Sequence, residues 1–132
     1  MIEKSIYVAG KYSNLDEVHH AQNLLKNTGF LISYDWTINA SKNTKSMIID
    51  STKDLDGVLE AEYSVILLTD PTYEYRGTFF ELGASLTRDI QRGVKKTLVI
   101  LNPNSHASTC CFAHHPNILY FENIESVIKY LK

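Results

Sequence analysis

Apolar residues recur along the chain in short blocks of two kinds, continuous runs and stripes at helical spacing. Ile6-Tyr7-Val8-Ala9 reads as a short buried strand ending at Gly10. Ser13 and Asp16 have the spacing of a capping box, and Val18, Ala21, Leu24 and Leu25 then mark one face of a helix that Gly29 closes. Phe30 to Trp36 reads as a second strand, followed by a polar loop from Asn39 to Ser46. Ile48, Leu55, Val58 and Leu59 fit a second helix running to about Glu62. Ser64 to Thr69 is the clearest buried strand, bounded by Asp70-Pro71. Thr78 opens a third helix that stops at Gly93, and Thr97 to Leu101 is the next strand, leaving through Asn102-Pro103-Asn104. Ile118 to Phe121 and Ile124 to Leu131 read as a last strand and a closing helix.

Strands that alternate with helices predict a mainly parallel sheet in a single α/β domain. The expected fold is flavodoxin/Rossmann-like, about five strands with helices on both faces, over the whole span 1–132. Ligands of such sheets bind beyond the carboxyl ends of the strands. The segments Gly10 to Ser13, Asp70 to Thr78 and Asn102 to Ser108 all follow strands, so they are expected to share one edge.

Composition narrows the class without naming a chemistry. The chain has 132 residues, 44% of them hydrophobic, enough for one compact core. A formal net charge of -2 argues against a surface built for a nucleic-acid backbone, although a small anionic ligand needs only local donors. The N-terminus lacks a signal-peptide pattern and no apolar run could span a bilayer, so a soluble, cytoplasmic protein is expected. The sequon Asn39-Ala40-Ser41 then carries no meaning. Cys110 and Cys111 are neighbours and make no disulfide framework. With His114 and His115 they are too cramped for a four-ligand zinc site, and no metal is expected.

Several residues admit two readings. Thr78-Phe79-Phe80-Glu81 is a T-x-x-E capping box, but a carboxylate in a first helical turn beside a strand-end loop is also placed for chemistry. Asp50 and Asp54 share a helix face while Asp56 points elsewhere; they form either a solvated acidic face or part of a site. Gly57, one turn on from Asp54, leaves room for a ligand or a close partner helix. Gly10-Lys11-Tyr12-Ser13 is either a plain tight turn or a backbone cradle for a phosphate or sugar hydroxyl; it is neither a dinucleotide fingerprint nor a Walker loop. Tyr7 is core or points at the same edge. Tyr34, Asp35 and Trp36 form a core cluster or a wall for a planar base. His19-His20 lies on a polar helical stretch and is read as solvated.

In order along the chain, Ile6-Tyr7-Val8-Ala9-Gly10, Asp54-Leu55-Asp56-Gly57-Val58, Ala61-Glu62 and Gly77-Thr78-Phe79-Phe80-Glu81-Leu82-Gly83-Ala84 together resemble the nucleoside 2-deoxyribosyltransferase family. The related 2′-deoxynucleoside 5′-phosphate N-hydrolases share this outline. The resemblance implies a cofactor-free enzyme in which Glu81 is the nucleophile of a covalent deoxyribosyl-enzyme intermediate. It makes Asp54 the carboxylate that contacts the base and assists proton transfer, and Tyr7 the residue that orients the nucleophile. Such chemistry needs one carboxylate to capture the sugar carbon and a donor to help the base leave. Substrate contacts are expected from Gly10, Lys11, Ser13, Asp35, Trp36, Tyr75 and Gly77. The implied partners are a nucleoside or nucleotide, a free nucleobase and further copies of the chain, since the family's enzymes are oligomers whose sites borrow a neighbour's residue. Two departures stand out. Transferases often carry an acid six positions before the nucleophile, where this chain has Tyr75 with Asp70 and Glu74 out of register. The hydrolases tend to have serine there and a Gly/Ser/Arg-rich first loop, for which only Lys11, Ser13 and Arg76 are comparable donors. Transfer, hydrolysis of the 5′-monophosphate and a non-catalytic nucleotide-binding module all remain open at this stage.

Overall fold

A computed structural model describes residues 1–38 and 44–132. The chain alternates strands β1 (Ile2–Ala9), β2 (Leu31–Ile32), β3 (Ala61–Leu68), β4 (Thr97–Leu101) and β5 (Ile118–Phe121) with helices α1 (Leu15–Asn27), α2 (Thr44–Glu60), α3 (Gly77–Arg92) and α4 (Ile124–Leu131). The five strands form one sheet in the order β2-β1-β3-β4-β5, and every pairing is parallel. This is the expected flavodoxin-like arrangement.

Side-chain alternation in β1 and β3 divides the core into two layers. Ile6, Val8, Val65 and Leu67 face α1 and α4, meeting Val18, Leu25 and Val127. Tyr7, Ala9, Ile66 and Leu68 face the other way, meeting Val58, Leu82 and Leu86 from α2 and α3. Tyr7 is thus fully buried on the α2/α3 side. The far end of that layer is fastened by a buried ion pair, Arg88–Asp89. Arg88 donates to the Val58 carbonyl (2.8 Å) and to Ser64 Oγ (3.0 Å), while Asp89 accepts from Lys96 N (2.8 Å) and Thr97 Oγ1 (2.8 Å). Every hydrogen-bonding demand of the pair is met, and α3 is anchored to α2 and the sheet.

Several expectations are corrected. Strand β1 begins at Ile2, four residues before the apolar run, across a bulge at which Lys4 takes a positive φ of 53°. Helix α1 is capped by Asn14, whose side chain accepts from Glu17 N, and not by Ser13. Strand β2 is only two residues long. As an edge strand it pairs with β1 alone, and after Ile32 side-chain bonds replace the ladder. Ser33 Oγ donates to the Gly57 carbonyl (2.7 Å), Trp36 Nε1 donates to the Val8 carbonyl (2.7 Å), and Asp35 accepts from Gln22 and Thr37. The predicted loop Asn39 to Ser46 lies outside the described residues up to position 43, the sequon lies wholly outside them, and from Thr44 the chain is already helical. Two short 3₁₀ turns, His106–Thr109 and Cys111–His114, lie between β4 and β5 where no periodicity announced them.

Of Ile48, Leu55, Val58 and Leu59, whose spacing predicted α2, only Val58 is buried, together with Gly57; the other three are exposed at 64%, 41% and 45%. The helix is turned by a contact at Gly57. A Cβ there would stand 2.7 Å from Tyr34 Cβ and 3.1 Å from the Tyr7 ring. Only glycine lets α2 lie this close to β1, and the face carrying Gly57 also carries Asp54 and Asp50.

Candidate functional site

A cavity of about 530 Å³ opens at the carboxyl ends of β1 and β3. Gly10, Lys11 and Tyr12 line it from the loop after β1, Tyr73, Arg76 and Gly77 from the loop after β3, and Trp36 from the segment after β2. Helix α2 contributes Met47, Asp50, Ser51 and Asp54, and α3 contributes Thr78 and Glu81. Helical residues at 47, 50, 51 and 54 follow the i, i+3, i+4, i+7 rule for a single face. That pattern was readable in the sequence, but the exposed isoleucines beside it masked it.

Glu81 is the fifth residue of α3, one position beyond the first turn, and it does not cap the helix. The N-cap is Arg76, without a side-chain capping bond, and Thr78 is buried with its hydroxyl donating to the Gly10 carbonyl (3.1 Å). That bond ties the first loop to the start of α3. The Glu81 carboxylate instead accepts a hydrogen bond from the Tyr7 hydroxyl. The two readings of Tyr7 therefore coexist: its ring is core and its hydroxyl reaches the cavity edge.

The electrostatics of this pair run against the simple dipole expectation. Burial raises the proton affinity of Glu81, the Tyr7 hydrogen bond lowers it and the charge of Asp54 raises it again, leaving its pKa at about 8. Burial is the largest cause, so the helix N-terminus does not keep this carboxyl ionised. Burial likewise pushes the Tyr7 phenol far up, helped by the negative charges of Glu81 and Asp54, so it stays a neutral donor. Asp54 is raised to about 6, first by desolvation and then by Asp50. One cavity thus holds two carboxyls with proton affinities brought towards neutrality, a common property of acid–base sites.

The remaining expected contacts divide. Gly10, Lys11, Trp36 and Gly77 line the cavity; Ser13, Asp35 and Tyr75 do not. A Cβ at Gly10 would meet Val18 Cγ2 at 2.8 Å, so this glycine is also required by packing of α1. Lys11 is ion-paired with Asp70 and its ammonium lies 5.2 Å from the Tyr73 ring centroid. Asp70 is held low, at about 2, first by the Lys11 bond and then by the Thr72 amide. Asp35 accepts from Gln22 of α1 and from Thr37 two residues on, which occupy one of its oxygens. Tyr75 is buried, accepts from the Asp70 amide (3.1 Å) and lines a smaller cavity of about 270 Å³ with His106 and Cys110. The segment after β4 therefore borders this second cavity, and Arg76 lies between the two. Tyr12, Met47, Ser51 and Tyr73 are cavity residues that motif reading missed, because loops and a polar helix face carry no apolar signature.

Two solved structures share this architecture. A 2-deoxyribosyltransferase from the psychrotolerant bacterium Bacillus psychrosaccharolyticus is similar with a TM-score of 0.70 over 96% of this chain and 91% of its own, at 19% identity. A CMP N-glycosidase from Clostridium botulinum is similar with a TM-score of 0.59 over 96% of both chains, at 14% identity. The chain shares their fold. No protein-family model and no curated protein matches it. Among the described residues no helix is long and apolar enough to cross a membrane.

A stability prediction follows from Glu81. Its folded pKa lies above the ordinary 4.5, so its contribution to stability is full below about pH 4.5 and is lost as pH rises through about 8. Glu81→Gln removes the ionisation and keeps an acceptor for Tyr7. At pH 8 to 9 this variant is expected to melt several degrees above the parent, on the order of 1–2 kcal/mol, with the difference shrinking towards pH 5. Calorimetry across that range measures it; a variant less stable than the parent at pH 9 contradicts the assignment.

Proposed function

We propose that this chain is an enzyme that cleaves the N-glycosidic bond of 2′-deoxyribonucleosides through a covalent deoxyribosyl-Glu81 intermediate and transfers the sugar to a second nucleobase. The observation that carries the reading is the Tyr7–Glu81 hydrogen bond at the edge of a cavity that Asp54 also lines. The fold shared with a 2-deoxyribosyltransferase and a CMP N-glycosidase supports it. In the first step a Glu81 oxygen bonds to C1′ and the C1′–N bond breaks with its electrons on the base, which takes a proton from Asp54. In the second, a nitrogen of the incoming base bonds to C1′, the C1′–O bond to Glu81 breaks, and Asp54 recovers a proton. Two inversions give net retention. Gly10, Lys11, Tyr12, Trp36 and Gly77 are the proposed walls around substrate.

The productive form carries its proton on Asp54, with Glu81 ionised, and the Tyr7 donor favours that ionisation. The pair's affinities of about 6 and about 8 give it one shared proton between those limits, so kcat/KM is expected to be bell-shaped with a maximum near pH 7. The acidic character of the cavity favours a neutral nucleoside. Among the described residues Asp50, Asp54 and Glu81 line it with the cations Lys11 and Arg76, and Lys11 is already paired with Asp70. The second reading is hydrolysis of a deoxynucleoside 5′-monophosphate, favoured by the exposed Arg76 at the cavity rim beside the first turn of α3.

One assay separates these outcomes. Deoxynucleosides or their 5′-monophosphates are incubated with and without a second free base, and products are followed by chromatography. Exchange that depends on added base supports transfer, and base release from the monophosphate alone supports hydrolysis. Glu81→Ala is expected to fold and lose all turnover; activity near the parent level excludes the mechanism, and ligand binding without turnover points to a non-catalytic module.

We also propose that the chain works as a homo-oligomer. Ile48, Leu55 and Leu59 are exposed apolar residues of α2, and Phe80 of α3 is 76% exposed, apolar surface suited to a second copy. Sedimentation at micromolar concentration is expected to show a dimer or larger species, weakened by Leu59→Asp; a monomer throughout contradicts this.

A further inference from the structure

We propose that Asp50 is a positioning residue that holds the departing-base proton on Asp54, an inference that rests on the role given to Asp54 above. Asp50 and Asp54 are one helical turn apart on α2, both half-buried and both lining the same cavity, whereas Asp56 is exposed and outside it. Two carboxylates at this spacing repel, a mild cost on a solvated helix and a larger one beside a partly closed cavity. The rotation of α2 imposed at Gly57 brings both onto the cavity wall.

The need for such a residue comes from the site itself. An acid that protonates a leaving base near neutral pH must bind its proton more tightly than an ordinary aspartate does. Burial can supply only part of that increase at Asp54, which is half-exposed at an open cavity. The other groups around it come from every neighbouring element. Tyr7 of β1 donates its hydrogen bond to Glu81. Glu81 of α3 carries the charge that captures the sugar, Tyr34 packs on Gly57, and the cations Lys11 and Arg76 lie on the loop side of the cavity. Any of these cations acting on Asp54 would favour the ionised form. Asp50 is the acidic neighbour that stays in place while Glu81 is consumed as an ester, so it favours the proton on Asp54 until the departing base takes it. Desolvation followed by the charge of Asp50 is also the order of causes that raises Asp54.

The test joins a direct titration to kinetics. Carbon NMR of chains labelled at the aspartate carboxyl carbon follows the Asp54 midpoint, identified by its disappearance in Asp54→Asn. In Asp50→Asn the midpoint is expected to fall by about half a pH unit or more, and Asp50→Glu to restore it. The acidic limb of kcat/KM should move down by the same amount, with the maximal rate lowered about threefold or more. An Asp54 midpoint unchanged in Asp50→Asn overturns the proposal, and so does a shifted midpoint with an unmoved acidic limb. Absence of any turnover in the parent chain counts against the proposed reaction, while the titration decides the coupling independently.

Discussion

The contact that organises this molecule is the approach of α2 to β1 at Gly57. Where any other residue would place a Cβ 2.7 Å from Tyr34, the missing side chain lets the helix settle against the Tyr7 ring. Three consequences follow from that one approach. Tyr7 is sealed in the core with only its hydroxyl aimed outward, towards Glu81. The helix is rotated so that Asp54 and Asp50 line the cavity. Ile48, Leu55 and Leu59 are left exposed. Arg88 and Asp89 hold the opposite end of the same layer, so α3 is anchored at one end and carries Glu81 at the other.

Within that frame the site is a balance between burial and hydrogen bonding. Burial favours neutral Glu81, whereas the Tyr7 hydroxyl favours its anion, and burial is the larger effect. A carboxyl kept at this cost to its ionised form is the sort of local conflict that concentrates at functional positions. By contrast Asp35 and Asp70, the other acids near the strand ends, have their oxygens occupied by amides, hydroxyls or a lysine and are held low. The difference separates structural carboxylates from chemically poised ones more sharply than their places in the sequence do.

Much of the fold was legible in the chain because parallel strands buried on both faces are written as continuous apolar runs, as in Val65 to Leu68 and Thr97 to Leu101. The failures have equally physical causes. The second strand stopped early because Ser33, Asp35 and Trp36 satisfy backbone and side-chain groups by means that β propensity does not register. Of the apolar positions that marked α2, only Val58 is buried, because periodicity counts apolar residues and takes no account of a glycine contact. The T-x-x-E pattern at Thr78 and Glu81 suggested a cap, yet each side chain bonds across the fold, one to Gly10 and the other to Tyr7. Local spacing could not choose between those partners, since both lie about 70 residues away in the chain. Of the residues that carried the family resemblance, Gly10, Asp54 and Glu81 line one cavity and Tyr7 bonds to Glu81 from the core, whereas Ser13, Asp35 and Tyr75 do not line it.

The central claim is that Glu81 bonds to the sugar carbon. Mass spectrometry of the intact chain after incubation with a 2′-deoxy-2′-fluoronucleoside tests it most directly, because the fluorine slows breakdown of a glycosyl ester. The account predicts a mass increase of one fluorodeoxyribosyl group, localised by peptide fragmentation to Glu81 and absent from Glu81→Ala. An adduct on a different residue, or release of base from this compound with no adduct at any time, would contradict it.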